Sequence, residues 1–119
     1  FQSDLTSMIQ RYEIIREAQM VHGDIALAVA RNEVDRVTAA KTADDLLNLQ
    51  GVQASIVLYR QGNGVSMSGR SLGEVNVQVI LEQLGGGGNG TSAGGYVPDS
   101  DLDEVRQRVL VAIGNYYIT

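Results

Sequence analysis

Glycine governs what this chain can fold into. Seven of its 14 glycines lie in the eleven positions Gly85-Gly86-Gly87-Gly88-Asn89-Gly90-Thr91-Ser92-Ala93-Gly94-Gly95. Glycine reaches positive φ without steric penalty and lets another group approach the backbone, but it loses the most chain entropy on folding. A flexible connector would be equally glycine-rich, although connectors usually join separately folded segments. This run follows a helical pattern and precedes a strand-like one, so it is expected inside a domain. Its N–H groups could form a concave anion site. From composition alone, ligand loop and connector both stand.

The surrounding pattern alternates helices and strands. Leu5, Met8, Ile9, Tyr12 and Ile15 predict a packed amphipathic helix over 4–20, and His22-Gly23-Asp24 a turn. The unbroken apolar run from Ile25 to Ala30 suits a strand buried on both faces. A second helix is predicted over 34–49, carrying Asp44 and Asp45, whose carboxylates diverge by about 100° on a helix and so do not converge on one metal. Residues 52–60 read as a strand with Val52, Ala54, Ile56 and Leu58 on one face. A hairpin turn at Gln61-Gly62-Asn63-Gly64 leads to a returning strand over 65–71, with Ser66, Ser68 and Arg70 on its polar face. An arginine there can grip a phosphate through two parallel bonds or simply lie in solvent.

A third helix is predicted over 74–84, with Val77, Ile80, Leu81 and Leu84 inward. Asn76 in its first turn can cap it or reach a ligand. Ala93 to Val97 reads as a short strand, and Asp101 with Glu104 opens a fourth helix. The expected fold is α/β, a mixed sheet of about four to five strands covered by helices.

With 119 residues, one domain is expected. A net charge of −5 argues against sequence-independent binding to long nucleic acid, which needs a basic surface. It leaves room for a small phosphorylated ligand held by an arginine and backbone amides. The chain has no cysteine, hence no disulfide and no thiolate zinc site. Its one histidine, His22, has no neighbouring ligand cluster. No apolar run approaches the ~20 residues of a membrane helix. A start at Phe1 rather than Met suggests a piece of something longer.

Arg70-Ser71-Leu72-Gly73, then Asn76-Val77-Gln78-Val79-Ile80, then Leu84 through Gly88 resemble the DHH-associated substrate-binding domain of DHH-family phosphodiesterases. The likeness is nearest to the membrane-anchored cyclic-di-AMP phosphodiesterases. Ile25–Val29, the Ala43-Asp44-Asp45-Leu46-Leu47 segment and Ala54-Ser55-Ile56-Val57-Leu58 extend it over essentially the whole chain. The resemblance implies that residues 1–21 connect to an upstream DHH domain of the same polypeptide and that 22–119 form the nucleotide-binding domain. It implies that Arg70 contacts phosphate, that Gly85, Gly86, Gly87 and Gly88 pack against the nucleotide, and that Ser71 and Asn76 support them. Asn89, Ser92, Ala93 and Gly94 complete the implied substrate site.

Catalysis would belong to the absent DHH domain, whose aspartates and histidines bind two metal ions, usually manganese; this chain carries no such set. A homodimer is possible, with no direct membrane contact by this chain. The parent is expected on the cytoplasmic side, anchored in a bacterial membrane. One departure stands out: Asn89 occupies the family's histidine position after the four glycines. Asparagine can donate and accept but cannot gain charge. The alternatives are the same domain of a short-oligonucleotide phosphodiesterase, or a non-catalytic RNA-binding or assembly module like those ending some tRNA synthetases.

Overall fold

The computed structural model describes residues 2–118. Ten elements follow one another: α1 (Gln2–Ile15), β1 (Gln19–Val21), β2 (Ile25–Val29), α2 (Arg36–Leu47), β3 (Ala54–Gln61), β4 (Gly64–Ser71), α3 (Val77–Glu82), β5 (Gly87–Asn89), β6 (Ser92–Val97) and α4 (Leu102–Ile118). The sheet has six strands in the order β1-β2-β3-β4-β6-β5. Only β2 and β3 pair in parallel; the other neighbours are antiparallel. That parallel pair is joined by α2, the crossover helix such a pair requires.

Both sheet faces are covered, which explains the unbroken apolar β2. Ile25 and Leu27 point to one layer with Ala54, Ile56 and Leu58 of β3, and with α3 and α4. Ala26 and Ala28 point to the other, with Val57, Tyr59, α1 and α2. The second layer is built from small residues: Ala26 and Ala28 meet Ala39 and Ala43 of α2. Small side chains let α2 sit close, and buried Ser55 donates from Oγ to the Ala43 carbonyl at 2.6 Å. Asp35 starts α2, accepting from the Thr38 N–H at 2.7 Å. This hydrogen bond is the main reason the Asp35 carboxyl is held below its ordinary range. Asp101 starts α4 in the same manner, accepting from the Glu104 N–H at 2.8 Å.

Several expectations are corrected. Strands β1 and β5 bring the sheet to six, above the expected four to five. The helix expected over 4–20 ends at Ile15; His22 and Gly23, at φ 54° and 81°, then turn β1 back onto β2. Val52 precedes β3 and packs in the α2 layer rather than beside Ile56. The hairpin loop is Gly62-Asn63, with Gly64 already in β4. Ser66 and Ser68 are buried, because α2 overlies that part of the expected polar face. In α1 the expected apolar stripe faces outward: Leu5, Met8, Ile9 and Tyr12 are all exposed, Tyr12 by 64 %. The helix docks instead through buried Ile14 and through Arg11, whose Nε meets Asp45 at 2.7 Å.

Candidate functional site

Between α2 and the β4–β6–β5 end of the sheet lies an open cleft of about 260 Å³. Arg36 and Ala40 of α2 form one wall, and Tyr59, Ser68 and Arg70 form the floor. Gly87, Gly88, Ser92, Ala93 and Gly94 form the other wall. The volume lies just below the ~300–1,000 Å³ usual for small-ligand sites.

The glycines divide by purpose. Gly85, at φ 85°, stops α3: its N–H donates to the Glu82 carbonyl at 3.1 Å and that of Gly86 to Leu81 at 2.9 Å, the paired bonds of a Schellman stop. Gly86 and Gly95 are required by close approach. A Cβ on Gly86 would lie 2.5 Å from the Gly94 carbonyl oxygen, and one on Gly95 would lie 2.9 Å from the Gly86 Cα. Gly88, at φ 152°, would place a Cβ 2.2 Å from the Ser92 carbonyl oxygen. Gly87 differs: a Cβ there meets nothing within 4 Å, and its φ is not positive. Packing does not demand glycine at 87, and the residue lines the cleft.

Arg70 lies near the end of β4, opposite Ser55 of β3 and Ser92 of β6. Its side chain is 23 % exposed. The Nε faces an Asp44 carboxylate oxygen at 3.2 Å, and Nη1 donates to the Gly69 carbonyl at 2.8 Å. These two contacts orient the guanidinium fork and leave Nη2 unpaired among the described residues. Asp44 and Asp45 are held by different arginines, Arg70 and Arg11, so they diverge as a helix dictates. Arg36 is exposed and carries no ion pair or side-chain hydrogen bond among the described residues.

Of the sequence-predicted residues, the cleft gathers Arg70, Gly87, Gly88, Ser92, Ala93 and Gly94. Ser71 points to the opposite face and donates from Oγ to the Gly90 carbonyl at 2.9 Å, bracing the hairpin from behind. Asn76 caps α3, its Oδ1 accepting from the Val79 N–H at 3.2 Å. Gly85 and Gly86 form the α3 stop. Asn89 closes the β5–β6 turn: its Oδ1 accepts from the N–H groups of Thr91 and Ser92 at 3.1 and 3.0 Å, and from the Thr91 hydroxyl at 3.1 Å.

Sequence reasoning missed Arg36, Ala40, Tyr59 and Ser68, which other elements bring to the cleft. Arg36 carried one legible signal, a cation in the first turn of a helix, where the helix dipole disfavours it. Ser68 carried another, since strand alternation puts it on the same face of β4 as Arg70; Tyr59 carried none.

No group of three or more His, Cys, Asp or Glu among the described residues is placed to hold a metal ion. His22 stacks on Tyr117 with ring centroids 4.6 Å apart. The described residues do not fit a two-metal centre. No described helix is long and apolar enough to cross a membrane.

The DHHA1 domain profile matches residues 22–115. Over 116 residues the chain is 44 % identical to the cyclic-di-AMP phosphodiesterase GdpP of Geobacillus thermodenitrificans, covering 95 % of this chain and 18 % of that protein. Over 79 residues it is 38 % identical to the bifunctional oligoribonuclease and PAP phosphatase NrnA of Thermus thermophilus, covering 63 % of this chain and 24 % of that protein. The chain therefore spans about a fifth of these relatives' length. An exopolyphosphatase-related protein from Bacteroides fragilis shares the fold, with a TM-score of 0.79 at 16 % identity over 92 % of this chain and 34 % of that structure.

Proposed function

Because the chain belongs to the DHHA1 domain family, we propose that it is the nucleotide-holding domain of a cyclic-di-AMP phosphodiesterase. Arg70 takes a phosphate, and the β5–β6 wall lies against the nucleotide. The observation that carries this reading is Gly87. It opens into the cleft beside Arg70, and no neighbouring atom explains its missing side chain. A glycine that packing does not require suits a wall that a ligand approaches at backbone distance.

Catalysis falls to a DHH domain of the same polypeptide. Manganese, where the family resemblance puts it, belongs to that domain, and membrane anchoring to parts of the parent outside this chain. The partial volume of the cleft fits this division, since a second domain would supply the missing cover. The likeness to NrnA supports a second substrate class, short oligoribonucleotides.

Calorimetric titration of the purified chain with cyclic-di-AMP and with a linear diadenylate tests the reading. Saturable binding is expected, with no hydrolysis of either ligand by the chain in the presence of Mn²⁺. Arg70→Ala removes a hydrogen bond to a charged group, about 1.5–3 kcal/mol or roughly 10–150-fold in affinity. Absence of binding, or binding indifferent to Arg70→Ala, overturns the assignment. A preference for the linear ligand moves it to the oligonucleotide class.

A further inference from the structure

The cleft holds a second cation that the proposed function does not use. Arg36 is the first residue of α2, directly after the capping Asp35. The N-terminal end of a helix carries partial positive charge, so an arginine there is electrostatically disfavoured. Among the described residues Arg36 has no ion pair or side-chain hydrogen bond to offset this. Arg70, by contrast, is tied to Asp44. Arg36 stands on the α2 wall and Arg70 on the floor, while the glycine strands form the far wall. The cleft is thus lined by two arginines from different elements, one ion-paired and one not. A local rule broken without a compensating contact in the protein points to a contact with something else.

We propose that Arg36 is a specificity-determining residue that binds a second phosphate, separate from the one at Arg70, so that the cleft selects ligands bearing two phosphates over mononucleotides. This rests on the proposed function, since it assumes that Arg70 holds the first phosphate. Guanidinium is suited to the task because it stays charged at any working pH and presents a planar fork to phosphate oxygens.

The test is a set of titrations of the wild-type chain, Arg36→Gln, Arg36→Lys and Arg70→Ala with cyclic-di-AMP and with adenosine monophosphate, followed by amide chemical shifts at millimolar ligand. Arg36 is exposed and its side chain makes no hydrogen bond or ion pair among the described residues, so its variants should melt with the wild type. Arg36→Gln is expected to weaken cyclic-di-AMP about tenfold, the low end for a hydrogen bond to a charged group. It should leave adenosine monophosphate within a factor of two, and Arg36→Lys should recover part of the loss. Arg70→Ala should weaken both ligands. Equal weakening of both ligands by Arg36→Gln, or of neither, overturns the inference while the cleft assignment stands. Failure of the wild type to bind either ligand, or indifference of both to Arg70→Ala, overturns the proposed function and this inference with it.

Discussion

Alanine at position 87 separates the two reasons a protein has for keeping a glycine. The Gly87 backbone does not have positive φ, and an added Cβ finds open space. The folded state therefore accepts alanine, while the unfolded chain becomes stiffer. At compatible sites this exchange stabilises by about 0.4–1 kcal/mol. For a domain of this length that raises Tm by roughly 2–4 °C. One residue further on, the same methyl is built 2.2 Å from the Ser92 carbonyl oxygen and 2.7 Å from the Ala93 Cα, on a φ of 152°. Backbone cannot yield as a side-chain tip can, and the conformation alone costs about 1–3 kcal/mol for a residue with a Cβ.

Thermal melts and titration with cyclic-di-AMP on wild type, Gly87→Ala and Gly88→Ala make the comparison. Gly87→Ala should melt at or above wild type yet bind several-fold more weakly, because its methyl occupies a cleft of about 260 Å³. Gly88→Ala should melt several degrees lower. A Gly87→Ala protein as unstable as Gly88→Ala would show that packing does require glycine at 87. A stable Gly87→Ala protein with unchanged binding would show that the ligand does not approach this wall.

Two further perturbations follow from the charges. Asp44→Asn removes the carboxylate at Arg70; the pair is partly exposed, so stability should change by at most about 1 kcal/mol. Anion affinity in the same titration should rise a few-fold at low salt, and a fall would show that orientation of Arg70 outweighs its partner's charge. The Tyr117 hydroxyl donates to both carboxylate oxygens of Asp24, at 2.8 and 3.0 Å, and burial, followed by that bond, pushes its pKa from 10.0 up to about 12. A raised folded value stabilises fully below the unfolded value of 10.0 and is lost as pH climbs towards 12. Melts of wild type and Tyr117→Phe should therefore converge across that window, and parallel curves would refute the assignment.

Legibility in the sequence depended on how local each cause was. Arg70 could be placed near a strand end because alternation is a local signal, and the helix behind Asn76 because its apolar spacing is regular. Strand β5 could not: Gly87-Gly88-Asn89 has no strand propensity and exists as a strand only because β6 pairs with it. Strand β1 is three residues long and was absorbed into the helical reading of α1. The outward stripe of α1 shows the limit of periodicity, which reports an apolar face but not whether anything covers it. Asn89-Gly90 is the same dipeptide signal that marked the first hairpin, but Asn89 was read as a site residue and not as a turn. The α2 wall of the cleft was not legible. Arg36 meets the glycine strands only through the crossover that carries α2 across the sheet.

The glycine wall is also the outermost strand of the sheet, hydrogen-bonded on one side only. The opposite wall stands on α2, which is anchored by Leu46 and the Ser55 bond. The cleft therefore pairs a stiff jaw with a compliant one. The amides of β5 should exchange with solvent long before those of β3, and a bound ligand should slow them most. Part of any attractive contact is then spent on quieting β5, where each glycine surrenders more freedom than another residue would. Under the proposed function, affinity would be set by how much motion β5 gives up as well as by which groups touch.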